Sequence, residues 1–214
     1  MSKHVILLGA PGVGKGTLGQ QVVKRAGLAY VSTGDMLRAE VAAKTELGNK
    51  IASILAAGEL VSDDLVNELI KKAISKPEAQ KGFMIDGYPR TLYQAKSLEA
   101  MPQGKIDVVF NIELPAEEIV RRISSRRRCP KCKAVYNLSY SPPNKEGICD
   151  RCGAQLVTRA DDNPDTIRNR IAVYEKNTKP LVEYYEKKGL LVRIDSSGND
   201  NEPKIRDMLA IIGK

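Results

Sequence analysis

A glycine-rich stretch near the start of the chain, Gly9–Thr17 (GAPGVGKGT), constrains the fold more than any other feature. It follows an apolar run, Val5–Leu8, that predicts a buried strand, and it precedes Leu18–Arg25, which predicts a helix. This order is typical of a phosphate-binding loop, because glycines let successive backbone N–H groups face one concavity. The helix N-terminus adds positive potential, and Lys15 adds a mobile cation. The stretch therefore predicts a site for a nucleoside phosphate.

One position departs from the general pattern GxxxxGK[ST] of such loops. Gly16 follows the lysine, and the hydroxyl-bearing Thr17 comes one place later. In many loops of this kind the hydroxyl that follows the lysine binds magnesium directly. The pattern therefore predicts phosphate binding here, but it leaves open whether Thr17 touches the metal.

Length and composition narrow the class of protein. The chain has 214 residues, 42% hydrophobic and 28% charged, which fits one folded core with small insertions. No apolar run approaches the roughly 18 residues of a membrane span, so we expect no membrane partner. The first strand begins almost at the N-terminus without a leader, so we expect a cytoplasmic protein. In that compartment its four cysteines are expected to bind metal rather than to form disulfides.

The net charge of +8 is compatible with two kinds of partner. A basic balance can attract nucleic acid, or it can come from a site lined with arginines for small polyphosphates. The chain has two phenylalanines and no tryptophan, which argues against base stacking on single-stranded nucleic acid. We therefore expect a small-molecule polyphosphate and no nucleic-acid partner.

Strands and helices alternate along most of the chain, which predicts a parallel sheet with helices on both faces. The predicted strands are Val5–Leu8, Ala29–Val31, Gly82–Asp86, Ile106–Ile112 and Leu190–Asp195.

Two segments interrupt this alternation. Residues 32–61 show only helical periodicity, which predicts a small helical insertion on the sheet. Residues 127–160 are rich in cysteine, proline and short β-like runs, which predicts a small inserted β domain. A helix is predicted over 116–126, and a long helix that begins near Asn163 is expected to break at Pro180.

The cysteines form two CxxC pairs that are separated by sixteen residues, a spacing typical of a zinc site. The predicted ligands are Cys129, Cys132, Cys149 and Cys152. Gly153 allows a tight turn after the second pair. Four thiolates close a tetrahedron and leave no open position, so we expect a structural metal, zinc, with iron or cobalt left open. An arginine-flanked zinc ribbon also fits a nucleic-acid-binding protein with a nucleotide-hydrolysing core, and this alternative stays open.

Charged side chains that suit phosphate follow the predicted strands and helices. Asp86 and Arg90 lie near the carboxyl end of a predicted strand, where α/β sheets bind ligands, and Asp86 is the expected carboxylate for magnesium, through its waters. Fork-shaped guanidinium groups suit phosphate oxygens. The other candidates are Arg122 and Arg126, expected on one helix face, and Arg159, Arg168 and Arg170. A solvated charged face is an equally good interpretation of Arg121, Arg127 and Arg128.

Segments spread over nearly the whole chain together resemble the adenylate kinase family, in its long-lid, zinc-containing form. The most specific are Ser32–Arg38 (STGDMLR) and Phe83–Thr91 (FMIDGYPRT). The other matching segments are Gly9–Thr17, Gly58–Val61 (GELV), Gln94, the pair Arg122 and Arg126, the four cysteines, and Arg159–Asp162 with Arg170.

The resemblance implies a P-loop nucleoside triphosphate hydrolase-like α/β fold, with a five-stranded parallel sheet flanked by helices. It implies a core domain at 1–31, 62–125 and 163–214, a helical NMP-binding domain at 32–61, and a small β lid with the metal at 126–162. The implied reaction is reversible phosphoryl transfer from MgATP to AMP, giving two ADP. A monomer without nucleic-acid or membrane partners is expected.

The resemblance also implies roles for individual residues. It implies that catalysis involves Lys15, Asp86, Arg90, Arg126, Arg159 and Arg170. It implies that ATP is bound by Gly12, Val13, Gly14, Lys15, Gly16, Thr17, Arg122, Arg126, Val135, Tyr136 and Gly198. It implies that AMP is bound by Thr33, Arg38, Glu59, Leu60, Val61, Gly87, Tyr88, Pro89, Arg90, Gln94, Arg159 and Arg170. Asp161 and Asp162 are expected to help fix the closed lid.

Two positions depart from the family pattern, and one acceptor question stays open. Val13 stands where a smaller residue is usual, and Tyr88 replaces a common phenylalanine. Another nucleoside monophosphate, UMP or CMP, is an alternative acceptor, although Thr33 and the long lid favour AMP.

Overall fold

The computed structural model describes residues 3–213. Its centre is a parallel sheet whose strands are β1 (Lys3–Leu8), β2 (Ala29–Ser32), β3 (Gly82–Asp86), β4 (Val108–Glu113) and β7 (Leu191–Asp195). The strands lie side by side in the order β2-β3-β1-β4-β7. The predicted five-stranded parallel sheet is therefore confirmed, and every strand end falls within two residues of its predicted position.

Helices surround the sheet. The α-helices are α1 (Lys15–Ala26), α2 (Thr33–Ala42), α3 (Glu46–Ala57), α4 (Asp63–Ile74), α5 (Leu92–Glu99), α6 (Ala116–Ser124), α7 (Pro164–Val173), α8 (Pro180–Lys187) and α9 (Glu202–Ile211). Short 3-10 helices occur at Pro77–Lys81 and Ala160–Asp162. None of the helices in the described part of the chain is both long and apolar enough to cross a membrane.

The two faces of the sheet bury separate apolar clusters, because side chains alternate along each strand. In β1, Val5 and Leu7 join a cluster with α1, α6 and α9. Ile6 and Leu8 join a second cluster with α4, α5 and α8. All four side chains are at most 2% exposed, so β1 is buried on both faces and forms the middle of the core.

The parallel register brings the carboxyl ends of the strands to one edge. Leu7 of β1 pairs with Asp86 of β3 and with Phe110 of β4, and Ser32 of β2 also pairs with Asp86. The glycine-rich loop follows β1 directly. The loop, the end of β3 and the start of α2 therefore meet at the edge where open α/β sheets bind ligands.

The helical insertion, residues 32–61, consists of α2 and α3 as predicted. The Ser32 side chain accepts the N–H of Asp35 at 3.3 Å, and the Thr45 side chain accepts the N–H of Gly48 at 2.9 Å. These contacts satisfy backbone groups at the N-terminus of each helix. Gly58, with φ of 78°, ends α3 in the left-handed conformation that glycine favours.

The β insertion, residues 126–162, contains the antiparallel strands β5 (Arg126–Arg128) and β6 (Val135–Asn137). A small cluster is buried inside it, formed by Cys129, Ala134, Tyr136, Cys149 and Leu156. The predicted small β domain is therefore confirmed, and Cys129 and Cys149 belong to its buried cluster.

The predicted helix over 116–126 is too long, and the shared helix face for Arg122 and Arg126 is wrong. The helix ends at Ser124, and Arg126 starts β5. The Ser124 hydroxyl donates to the carbonyl of Val120 at 2.9 Å, a contact that serine makes in competition with regular helix. The chain then leaves the helix and pairs with β6.

The long helix after Asn163 is interrupted as predicted. Asn163 caps α7, and its side chain accepts the N–H of Thr166 at 2.9 Å. The residues Tyr174–Thr178 form a π-helical turn between α7 and α8. Pro180, which has no N–H to donate, starts α8.

Candidate active site

The glycine-rich loop wraps tightly around the N-terminus of α1. Gly9, Gly12 and Gly14 have φ of 135°, 86° and 99°, values that only glycine adopts readily. A Cβ on Gly12 would lie 2.4 Å from Cγ1 of Ile123, so the loop also needs glycine to pack against α6. Among the described residues no side chain caps α1, which leaves its first backbone N–H groups for a ligand.

Lys15 points its ammonium group back across this loop. Its Nζ donates to the carbonyl oxygens of Gly9 and Ala10 at 2.7 and 2.8 Å. Burial, opposed by the Asp86 carboxylate and reinforced by nearby arginines, Arg90 first, lowers the pKa of Lys15 to about 8. A bound polyanion would favour the charged amine, so this lysine is suited to hold phosphate.

Asp86, at the end of β3, faces the loop. The Tyr30 hydroxyl of β2 donates to Asp86 Oδ2 at 2.7 Å. Burial and the Asp86 carboxylate together raise the pKa of Tyr30, so its hydroxyl stays protonated and donates. A Cβ on Gly16 would lie 3.5 Å from the Tyr30 hydroxyl and 3.6 Å from Asp86 Oδ2. Gly16, which stands where such loops usually carry a hydroxyl-bearing residue, therefore lies beside the Tyr30 hydroxyl and the Asp86 carboxylate.

Arg90 is fixed by the turn that follows β3. Its Nε donates to the carbonyl of Gly87 at 2.8 Å, and the hydroxyl of Thr33 donates to the same oxygen at 2.8 Å. The side-chain oxygen of Gln94 accepts the Arg90 N–H at 2.7 Å, while its amide nitrogen donates to Asp63 at 2.7 Å. Burial, with the charge of neighbouring arginines, lowers the pKa of Arg90 to about 10. Turn and helix residues therefore hold Arg90 in one position.

These groups line one cleft of about 480 Å³. It is bounded by the glycine-rich loop, the strand ends, the helical insertion and the β insertion. Its acidic lining residues are Asp35, Glu59, Asp86 and Asp161. Its cationic lining residues are Lys15, Arg38, Arg90, Arg122, Arg126, Arg128, Lys133, Arg151, Arg159 and Arg170. Such an excess of positive charge attracts and concentrates polyanions.

The β insertion is tied to α7 through two aspartates. Arg126 makes a bidentate contact with Asp162, with Nε 2.8 Å from Oδ2. Arg170 of α7 reaches Asp162 Oδ1 at 3.2 Å and Asp161 Oδ2 at 3.0 Å. The Asp162 side chain is fully buried between the two arginines. This network draws the β insertion against the helix that follows it.

Four arginines of the cleft present Nε donors that have no partner among the described residues. The Nε atoms of Arg38, Arg122, Arg128 and Arg159 are buried and lack a hydrogen bond to any described residue. Burial and the charges of Arg126, Arg38 and Arg128 lower the pKa of Arg159 to about 9. Buried donors are rarely left unsatisfied, so this arrangement is typical of a site that binds an anion.

Asp35 of α2 bridges two of these arginines. Its Oδ1 lies 2.6 Å from Nη2 of Arg38 and 2.8 Å from Nη2 of Arg128. Arg38 belongs to the same helix, whereas Arg128 comes from β5. One carboxylate therefore joins the helical insertion to the β insertion across the cleft.

Arg122 of α6 lies on the opposite wall. Its Nη2 donates to the carbonyls of Ser196 at 2.9 Å and Gly198 at 3.3 Å. The Ser196 hydroxyl donates to the carbonyl of Val13 at 2.7 Å. The segment after β7 is thereby held against both the glycine-rich loop and Arg122.

The end of the helical insertion forms another wall of the cleft. Glu59, Leu60 and Val61 line it. The amide of Asn169 in α7 donates to Glu59 Oε1 at 2.7 Å. A Cβ on Gly58 would lie 2.7 Å from Cγ of Arg170, so glycine is needed where α3 approaches α7. These contacts hold the insertion over the cleft.

The four cysteines are suited to hold one metal ion. The Sγ atoms of Cys129, Cys132, Cys149 and Cys152 all lie within 4.8 Å of one another. Two of the separations are 3.4 Å, between Cys129 and Cys152, and 3.5 Å, between Cys132 and Cys149. Ligands about 2.3 Å from a tetrahedral ion have comparable spacing. The donor set therefore fits a closed, four-thiolate structural site.

Equivalent backbone turns carry the two cysteine pairs. Gly153 follows the second pair with φ of 72°, as predicted, and Lys133 follows the first with φ of 64°. In the first turn the Cys132 N–H donates to the Cys129 sulfur at 3.4 Å. The hydroxyl of Tyr136 contacts the sulfur of Cys149 at 3.5 Å and lowers its pKa to about 6, which favours the thiolate that a metal needs.

Most of the predicted site residues line the cleft. They are Gly12, Gly14, Lys15, Gly16, Thr17, Thr33, Arg38, Glu59, Leu60, Val61, Asp86, Gly87, Pro89, Arg90, Gln94, Arg122, Arg126, Val135, Tyr136, Arg159, Arg170 and Gly198.

Three predicted side chains lie elsewhere. Val13 is 1% exposed and packs into the core, and the hydroxyl of buried Tyr88 donates to Asn67 at 2.7 Å. These two residues can contribute only backbone to a ligand site. Arg168 is 76% exposed and pairs with Asp165, and it does not line the cleft.

The sequence patterns did not single out three residues at the cleft. Tyr30 precedes the matched segment Ser32–Arg38 and Asp35 lies within it, but neither residue was assigned a role. Arg128 was interpreted equally well as part of a solvated charged face. The structure buries Arg128 at 8% exposed. Alternation along β5 is the signal that could have found it, because Arg126 and Arg128 lie on one face of a strand.

Comparison with known proteins places the whole chain in one family. The family model described as Adenylate kinase matches residues 7–190. An adenylate kinase of Archaeoglobus fulgidus is 45% identical over 214 residues, which cover 99% of this chain and 98% of that protein. One of Caldicellulosiruptor saccharolyticus is 47% identical over 192 residues, or 88% and 89% of the two chains. One of Staphylococcus epidermidis is 44% identical over 202 residues, or 93% and 94%.

The glycine-rich loop, the cationic cleft and the two insertions agree with this match over nearly the full length. The chain belongs to the adenylate kinase family of nucleoside monophosphate kinases, which transfer phosphoryl groups between nucleotides.

Proposed function

We propose that the chain catalyses reversible phosphoryl transfer from MgATP to AMP, giving two ADP, and thereby balances the cellular adenine nucleotides. The observation that carries this proposal is the convergence of cations from distant parts of the chain on one cleft. Lys15, Arg38, Arg90, Arg126 and Arg170 belong to five different segments. Family membership supports the same class of reaction.

The donor nucleotide is proposed to lie over the glycine-rich loop. The N–H groups from Gly12 to Thr17 and the Lys15 ammonium would hold the ATP phosphates. Arg122 and Arg126 would contact them from the opposite side. Val135, Tyr136 and Gly198 would line the place of the adenosine.

The acceptor nucleotide is proposed to lie under the helical insertion. Arg38 and Arg90 would bind the AMP phosphate. The Nε of Arg38, which has no partner among the described residues, would donate a hydrogen bond to a phosphate oxygen. The base would occupy the pocket at Glu59–Val61, between α3 and α7. Thr33, Gly87 and Gln94 would act mainly by holding Arg90 through the hydrogen bonds described above.

Catalysis in this account is positioning together with electrostatic stabilisation. An oxygen of the AMP phosphate attacks the γ-phosphorus of ATP as the bond to the β-phosphate oxygen breaks. Charge on the equatorial oxygens of the transferred group would be neutralised by Lys15, Arg90, Arg126, Arg159 and Arg170. No residue needs to act as a strong base.

Magnesium fits at the cleft because Asp86 presents a carboxylate beside the phosphate-binding loop. One Asp86 oxygen is oriented by the Tyr30 hydroxyl. Bound with ATP, magnesium would neutralise phosphate charge, and Asp86 would hold it through water. The four-cysteine site is proposed to hold structural zinc, with iron or cobalt as alternatives, and to stabilise the β insertion.

The proposed domains are a core at 1–31, 62–125 and 163–214, an AMP-binding insertion at 32–61, and a lid at 126–162. A lid that closes over two nucleotides would exclude water and prevent hydrolysis of ATP. Monomeric state and cytoplasmic location stay predictions.

The test is a coupled assay of ADP formation with MgATP and each of AMP, CMP, UMP and GMP as acceptor. AMP should give a kcat/KM at least about 100-fold above the other acceptors. A higher kcat/KM with CMP or UMP would reassign the chain to another nucleoside monophosphate specificity. Hydrolysis of ATP that is independent of every acceptor would contradict the proposal.

A further inference from the structure

The ion pair between Arg128 and Asp35 joins the β insertion to the helical insertion. Arg128 lies on β5 in the β insertion, and Asp35 lies on α2 in the helical insertion. Nη2 of Arg128 is 2.8 Å from Oδ1 of Asp35, and the arginine side chain is only 10% exposed. Removing one partner of a largely buried pair leaves a charge without compensation, so this contact is worth more than a surface pair.

The same carboxylate oxygen holds Arg38. Nη2 of Arg38 is 2.6 Å from Oδ1 of Asp35, and both side chains are about one-third exposed, at 31% and 33%. Asp35 therefore receives one N–H from its own helix and one from β5. The Nε of Arg38 has no partner in the described part of the chain and remains available for a ligand in the cleft. The orientation of Arg38 thus depends on a carboxylate that Arg128 also fixes.

Strand geometry explains why Arg128 reaches the cleft and its neighbour does not. Arg126 and Arg128 point to one face of β5, and each pairs with an aspartate, Asp162 or Asp35. Arg127 points to the other face, where it donates to the carbonyls of Ser124 and Arg126 at 3.4 and 2.8 Å. Arg127 is therefore a matched control, with the same charge on the same strand.

We propose that Arg128 is a positioning residue that acts through Asp35 to orient Arg38 for the phosphate of the acceptor nucleotide. This inference rests on the proposed function of the cleft. When the β insertion lies over the cleft, Arg128 holds Asp35, and Asp35 in turn holds Arg38.

The first experiment compares Arg128→Met with Arg127→Met in the otherwise unchanged enzyme. Arg128→Met should raise KM for AMP by about tenfold and leave KM for ATP within about twofold, because Arg38 serves only the acceptor. Arg128→Lys, which keeps one N–H for Asp35, should recover most of the loss. Arg127→Met should match the wild type. Equal changes in both KM values, or none, would overturn the proposal.

The second experiment removes Asp35 and distinguishes an indirect role from a direct phosphate contact. Asp35→Asn should itself raise KM for AMP, and adding Arg128→Met should then change it less than about twofold. A full additional effect in the double variant would overturn the proposal. Metal content and melting temperature are measured for every variant. If Arg128→Met loses its metal, the test relies on Arg128→Lys, which keeps the positive charge, and on Asp35→Asn, which changes no residue of the β insertion.

Wild-type controls keep this inference separate from the proposed function. A wild type that fails to phosphorylate AMP contradicts the function itself. A wild type that phosphorylates AMP while Arg128→Met behaves like Arg127→Met contradicts only the positioning role.

Discussion

The charge on Lys15 should depend on whether a nucleotide is bound. Burial and the surrounding arginines lower its pKa from 10.5 to about 8 in the ligand-free cleft. This difference corresponds to at most about 3 kcal/mol of unfavourable free energy for the charged amine, since water reaches part of the side chain. Polyphosphate would reverse this by favouring the ammonium. Binding of a triphosphate should therefore be accompanied by uptake of a proton.

The size of this uptake follows from the same pKa. With a pKa of about 8, Lys15 is half deprotonated at pH 8, so binding should take up about 0.5 proton there and about 0.1 proton at pH 7. Affinity should fall as the pH rises above 8. In the ligand-free protein, the lowered pKa of Lys15 reduces the free energy of unfolding below pH 8. That reduction disappears between pH 8 and 10.5, where the folded state holds fewer protons than the unfolded chain.

The assay is titration calorimetry with a non-hydrolysable ATP analogue and magnesium. Binding heats at pH 8.0 in two buffers of different ionisation enthalpy give the number of protons taken up. Lys15→Met should abolish the uptake, whereas Lys24→Met, exposed on the same helix, should keep it. No uptake by the wild type at pH 8, or the same uptake by Lys15→Met, would show that Lys15 does not gain a proton on binding.

Three further variants test other parts of the account. Arg90→Ala should lower turnover by about 1,000-fold or more in the coupled ADP assay while the melting temperature stays near the wild type, and near-normal turnover would contradict this. Cys129→Ser should lose the metal, as measured by elemental analysis, and should lower the melting temperature by about 5 °C or more, while activity at low temperature survives. Lost activity with an unchanged melting temperature would contradict a structural metal. Tyr30→Phe removes the hydrogen bond to Asp86 and should lower the free energy of unfolding by about 1–2 kcal/mol in urea, so an unchanged value would show that this bond contributes nothing to stability.

The parts of the fold that local sequence patterns determine were predictable. The glycine-rich loop, the strands and the helical insertion each follow from apolar periodicity and glycine positions within one segment. The strand ends then converge because all five strands of the central sheet are parallel, and this explains why Asp86 and Lys15 were found from the sequence. The cysteine site was predictable for the same reason, since its spacing reflects the geometry of two backbone turns.

The residues that were missed or misplaced depend on partners far along the chain. Tyr30 and Asp86 are 56 positions apart, and nothing near either one indicates the hydrogen bond between them. Arg128 is buried because Asp35 lies across the cleft, a contact that no local pattern encodes. The helix over 116–126 was predicted too long because pairing of β5 with β6, a tertiary contact, outweighs helical periodicity at its end.

In the proposed reaction, cations from distant segments surround one migrating phosphoryl group. The most direct measurement is a crystal structure with two adenosines joined by five phosphates, an analogue that occupies both nucleotide sites together. We expect Lys15, Arg90 and Arg170 each to lie within about 3 Å of the phosphate chain. A phosphate chain bound outside the cleft, or one that leaves Lys15 and Arg90 without contact, would contradict it.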